Sequence, residues 1–252
     1  MYALLAATAF ALVNLFAYKL HHATENYRAK TLSFFGGIAA AYVFLDLLPN
    51  LLQAGEYLKQ ITGGSQLVAF YEDAIFLLVF VGFLIFFVLE HLAKQSRGKI
   101  QASTKQQFRE VQGTKSLFVI HFAIFAFLNS ILSFVLIFEF QAGLVGGLLY
   151  TFAVSLHLFI ANDSMVEHYK RLQLKGGRYV AAVIPFIGWA ISLLYPERLS
   201  EAYVLLALIS GVILYDSVKN EVPSALKKQS LALFLAGAGI YTLLLLVHTL
   251  IT

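Results

Sequence analysis

KQSRGKIQASTKQQFREVQGTK, residues 94–115, is the longest polar stretch of a chain that is 60% hydrophobic and 13% charged. Soluble domains run nearer half apolar and a quarter charged, so this composition excludes a water-soluble globule. The stretch holds Lys94, Arg97, Lys99, Lys105, Arg109 and Lys115, and it separates two sets of apolar segments. Lys and Arg stay on the cytoplasmic side of a membrane because translocating them is costly. Residues 94–115 therefore read as a cytoplasmic loop, and their polarity predicts flexibility.

Working outward from this loop, a spanning helix needs about 20 mostly apolar residues. Eight segments qualify: 2–18, 31–53, 72–93, 116–138, 142–164, 179–195, 202–218 and 230–251. The loops after the first, third, fifth and seventh hold 16 of the 18 Lys and Arg residues; only Lys59 and Arg198 fall on the other set. The opposite loops carry acids instead, at Glu56, Glu72, Asp73, Glu139, Glu197 and Glu201. The chain thus reads as an all-α polytopic membrane protein with eight transmembrane helices and both termini exoplasmic. The net charge of +4 is explained by bases flanking apolar segments. The partner it implies is a lipid bilayer and not a nucleic acid. Residues 1–20 lack the basic region and small-residue cleavage site of a signal peptide, so they read as the first span. With no targeting segment, the plasma membrane of a prokaryote is the simplest location. The absence of cysteine excludes disulfides, thiolate metal sites and Cys nucleophiles.

The polar stretch and the short 4–5 connection around FEFQAGLVGG group the spans as three, two and three. A weak internal echo accompanies this grouping. Residues 42–48, YVFLDLL, resemble residues 212–218, VILYDSV, with Asp46 aligned to Asp216 and a proline after each, Pro49 and Pro223. The two segments run in opposite directions through the membrane, which is the sign of an inverted repeat. Gly36, Gly37, Ala40, Ala41, Gly143, Gly147 and Ala236 form small-residue patterns that let helices approach closely.

Ionisable groups inside a bilayer are costly and mark candidate sites. His157 lies well inside span five, on one helical face with Ile160, Ala161 and Ser164. His121 is inside span four, Asn129 near its middle, and Asn162 and Asp163 near the end of span five. If spans four and five pack together, Asn129 can face His157, and the group can bind a metal or relay a proton. The plainer alternative is a satisfied interhelical hydrogen bond. A second candidate cluster, at the cytoplasmic helix ends, comprises His21, His22, Glu25, Glu90, His91, Glu167 and His168; its alternative is a set of solvated polar residues. No mid-span lysine, phosphate loop, HExxH or GxSxG motif points to an enzyme.

Several segments resemble the ZIP family of zinc and iron transporters. Gly36-Gly37-Ile38-Ala39-Ala40-Ala41 leading to Leu47-Leu48-Pro49 is similar to that family's second helix. Leu208 to Tyr215 with Pro223 is similar to its seventh, and Val154-Ser155-Leu156-His157 to the start of its fifth-helix metal motif. The resemblance covers most of the chain. It implies the 3+2+3 arrangement, zinc or iron as the transported or bound ion, and a homodimer. The family's HNxx(D/E)G and HExx(H/E)E motifs are degenerate here. Around Asn129 the histidine, acid and glycine are missing. After His157, Leu158 replaces the acid and Ala161 and Asn162 take the next ligand positions. Two functions follow: a divergent metal transporter using a sparse site on helices four and five, or a transport-inactive scaffold, sensor or subunit.

Overall fold

The computed structural model describes residues 1–52, 66–101, 107–195, 199–216 and 230–251, with side chains for 1–20, 22–52, 75–92, 115–195, 205–215 and 230–250. Helices make up the fold, and no strand occurs among the described residues. Helix α1 (Tyr2–Phe16) continues through a short turn at Tyr18–His21. Helix α2 (Glu25–Tyr42) leads into a π-helical turn at Val43–Leu47 and runs on to Leu52. Pro49 has no N–H to offer the Leu45 carbonyl four residues back, and the widened turn lies at that interruption. There follow α3 (Gln66–Gln101), α4 (Gln107–Ala142), α5 (Leu144–Leu172), α6 (Arg178–Leu194), α7 (Leu199–Asp216) and α8 (Leu231–Ile251). Each apolar segment of the sequence overlaps one of these helices.

Among the described residues, six helical stretches are long and apolar enough to cross a bilayer: Tyr2–Leu20, Glu25–Leu52, Ile75–Leu92, Lys115–Ala142, Leu144–Leu194 and Leu231–Leu250. Leu205–Tyr215 is apolar but shorter. Phe76 and Phe80 on α3, Val183 and Ile187 on α6, and Leu243 and Leu246 on α8 are exposed, while Asn14, Asn129, His157 and Gln173 are buried. Apolar surface on this scale marks a lipid or protein contact, and the distribution is compatible with an integral membrane protein.

Two expected loops are largely helical. The polar stretch 94–115 is helical to Gln101 and again from Gln107; it is rich in Gln, Lys and Arg, good helix formers, and has no proline. The connection between α5 and α6 is a run of helical turns, with a π-helical turn at Gln173–Gly177 and one non-helical residue, Tyr169 (φ −136°, ψ 39°). The chain nevertheless reverses there. The amide of Asn14 contacts both Asn162 and the Ala181 carbonyl, residues that a straight helix would hold about 28 Å apart. From the reversal both legs run along α4. On the α5 leg Tyr169 meets His121 and Tyr150 meets Leu132. On the α6 leg Gly177 faces Phe118 and Gly188 faces Ser130.

Helices α1, α4, α5 and α6 form the centre, flanked by the pairs α2/α8 and α3/α7. The two pairs cross in the same way. In the first, a Cβ on Gly37 would collide with Phe234 O and crowd Ala238 N, and one on Gly237 would collide with Phe34 O. In the second, a Cβ on Gly211 would collide with Val79 O and crowd Phe83 N, and one on Gly82 would collide with Leu208 O. Gly211 and Leu208 stand 174 residues after Gly37 and Phe34, and Gly237, Phe234 and Ala238 stand 155 residues after Gly82, Val79 and Phe83. One register therefore relates all these contacts. The echo aligning Asp46 with Asp216 is one helical turn out of that register. Gly82, Gly188, Gly211 and Gly237 make close crossings absent from the expected set, while Gly143 faces open space.

The two pairs also point in opposite directions. Helix α2 sets Arg28, in its first turn, beside Asp163 and Glu167 and passes Tyr150 at Tyr42. Helix α3 instead brings its later residues, Phe86 and Glu90, to His121 and His168. The end of the bundle marked by Arg28 carries every Lys and Arg whose side chain is described: Lys19, Arg28, Lys30, Lys115, Lys170, Arg171, Lys175 and Arg178. Lys59 and Arg198 lie outside the described residues.

Candidate functional site

Among the described residues, three polar groupings lie inside the Arg28 half of the bundle. The deepest is an amide network centred on Asn14. Its Nδ2 donates to Asn129 Oδ1 at 2.9 Å and to the Ala181 carbonyl at 3.0 Å, and its Oδ1 accepts from Asn162 Nδ2 at 2.6 Å. Asn129 donates in turn to the Phe125 carbonyl, Asn162 to the Leu158 carbonyl, and Gln173 Nε2 donates to Asn162 Oδ1 at 3.2 Å. Four helical segments are tied together in this way. Interhelical bonds of this kind fix membrane helices at a modest gain of about 0.6 kcal/mol each.

The second grouping is an ion pair. Arg28 Nε donates to both Asp163 oxygens at 3.0 and 2.9 Å, and its Nη2 bridges Asp163 and Glu167. Asp163 and Glu167 are one turn apart on α5, so a single guanidinium engages both. The Asp163 side chain is only 3% exposed, and the bidentate geometry compensates the cost of burying it.

The third is a cavity of about 40 Å³ between α3, α4, α5 and α7, enough for one or a few waters. Phe86, Glu90, His121, His157, His168 and Tyr169 lie on its wall, with Ala161 and Ser164 completing the α5 face. His168 Nδ1 lies 2.8 Å from the Ser164 carbonyl. A carbonyl only accepts, so Nδ1 carries the hydrogen. The other nitrogen, Nε2, approaches Glu90 Oε1 at 3.2 Å. The Tyr169 hydroxyl and His121 Nδ1 are 2.7 Å apart. The reversal residue of the α5–α6 turn is thus also a wall of the cavity.

The candidates read from sequence separate into these groupings. His157 and His121 reach the cavity, and His157, Ala161 and Ser164 share its wall, while Ile160, the fourth residue of that expected face, is buried away from it. Asn129 and Asn162 belong to the amide network, and Asp163 to the ion pair. Helices α4 and α5 do pack together, yet both ends of the Asn129 amide are taken up by Asn14 and Phe125. The seven-residue cluster disperses. Glu90 and His168 turn inward to the cavity, Glu167 binds Arg28, His91 stacks on Phe87 and His22 meets the edge of Tyr18. Glu25 occupies the first turn of α2, and the His21 side chain lies outside the described residues. Among the described residues, no three His, Asp or Glu side chains are placed to hold a metal ion together.

Sequence reading passed over Asn14 and Arg28. Asn14 had a visible signal, being the one amide within the first apolar span. The role of Arg28 depends on its alignment with Asp163, 135 residues away, and has no local trace. No family model, curated protein or solved structure matches this chain.

Proposed function

We propose that this chain is an integral membrane protein on the ZIP plan, with eight spans, a 3+2+3 arrangement and both termini outside, and that it passes a divalent metal ion, zinc or iron. The matched but oppositely directed crossings of α2/α8 and α3/α7 support the inverted repeat on which such transporters are built. The concentration of bases at one end supports the orientation, and a prokaryotic plasma membrane fits both. The observation that carries the function is the cavity, whose wall holds His121, His157, His168 and Glu90. Imidazole and carboxylate together suit zinc or ferrous iron. With no three ligands placed around one point, a guest ion keeps part of its water shell. Weak binding of that kind favours passage over retention.

Zinc and ferrous uptake into proteoliposomes tests this reading. Uptake above protein-free vesicles, falling about tenfold or more on His157→Ala, is the expected result. Flux equal to that of empty vesicles, with no bound metal, overturns it. A second reading, a transport-inactive scaffold or subunit, is favoured by the Asn14 network and the Arg28 ion pair, which fasten the helices around the cavity. Stable co-purification of a partner protein, without metal flux, would select it. The homodimer implied by the family is tested by the mass of the protein in detergent.

A further inference from the structure

At the end of the bundle opposite Arg28 lies a cluster whose chemistry differs from that of the cavity. Asp46 stands inside the π-helical turn of α2, where Asn50 Nδ2 donates to its Oδ1 at 2.9 Å and the Tyr241 hydroxyl donates to its Oδ2 at 3.2 Å. Glu139, half-buried near the end of α4, lies within electrostatic reach of Asp46. Two partly buried carboxylates therefore share one region, and two of its neighbours are tyrosines.

The decisive residue is Tyr42. Its ring is held edge-on between Tyr150, at 6.1 Å, and Tyr241, at 6.3 Å. The residue is 1% exposed, and its hydroxyl has no hydrogen-bond partner. That hydroxyl lies within electrostatic reach of both Asp46 and Glu139. The neighbouring tyrosines are each satisfied, Tyr150 by the Leu132 carbonyl and Tyr241 by Asp46. Leaving a buried hydroxyl unpaired costs about 1–3 kcal/mol, and phenylalanine would fill the same space without that cost. Packing accounts for the ring of Tyr42 but not for its oxygen.

We propose that this cluster binds a hard divalent cation of the calcium type, partly hydrated, with Asp46 and Glu139 supplying the charge and the Tyr42 hydroxyl completing an oxygen shell. Calcium takes six to eight oxygen ligands in flexible geometry and tolerates water among them. Two carboxylates and a phenol oxygen, with water filling the remaining positions, match that preference, whereas the imidazole-lined cavity suits softer ions. The site is separate from the cavity and does not depend on transport through it.

The test uses the full chain in nanodiscs at fixed ionic strength, with thermal unfolding followed as calcium, magnesium, sodium or zinc chloride is titrated. Calcium should raise the midpoint saturably by about 3–5 °C. Asp46→Asn and Glu139→Gln should abolish the rise, and Tyr42→Phe should weaken the apparent affinity about tenfold, the loss of one contact to a charged guest. Glu25→Gln, at the other end, should leave it unchanged. If Asp46→Asn fails to fold, Glu139→Gln and Tyr42→Phe decide the matter. An unsaturable rise, or one that persists in both of those variants, overturns the site. So does a response to zinc alone that is removed by His248→Ala, since His248 also lies within electrostatic reach of Asp46.

Discussion

The pairs α2/α8 and α3/α7 share the geometry of their crossing and little of their chemistry. Both place glycines where backbone meets backbone, in one register. Beyond the crossing, α2 and α8 present Asp46, Tyr42 and Tyr241 to one end of the bundle. Helix α3 carries Glu90 to the cavity at the other end, while Tyr215 of α7 sits among Phe83, Phe86 and Phe87. What the two pairs have in common is a packing solution, enforced by collisions with backbone. Side chains one or two turns away were free to diverge, so a site in one pair does not predict a site in the other.

The crossing can be broken most sharply at its glycines. Gly37→Ala and Gly211→Ala should each cost more than about 3 kcal/mol, because the new Cβ meets a carbonyl that cannot move aside. Loss of monodisperse protein from detergent extracts is the readout, and tolerance at only one position would break the equivalence of the pairs. Arg28→Leu leaves Asp163 buried without its cation and should cost about 3–5 kcal/mol. Much of that loss should return in Arg28→Gln combined with Asp163→Asn, measured by the unfolding midpoint. At the opposite end the effects are smaller. Tyr241→Phe removes one bond to Asp46 and should cost about 1 kcal/mol. In metal-free buffer Tyr42→Phe should cost nothing and gain up to about 1 kcal/mol, since no bond is lost. A larger loss there would show that the hydroxyl has a partner after all.

Much of the helical framework could be read from residue order, because apolar runs and the spacing of Lys and Arg are local signals. The chemistry was legible only in part. His157 and His121 stood out as ionisable residues within apolar runs, and both reach the cavity. Glu90, His168 and Tyr169, which share the cavity wall with them, come from the ends of the apolar runs, where polar residues are ordinary and nothing marks one that turns inward. The Asp46–Asp216 echo shows the same limit. Matching side chains suggested one alignment, while the glycines that carry the real constraint set a register one turn away from it.

The turn at Tyr169 has a mechanical consequence. Helices α5 and α6 are joined with no slack, since every connecting residue but one is in a helical turn. Sliding one against the other would require opening backbone hydrogen bonds, so the two legs translate as one body. Lys170, Arg171, Lys175 and Arg178 ride on that body at fixed spacing. Any anionic surface that attracts them therefore pulls on both helices at once.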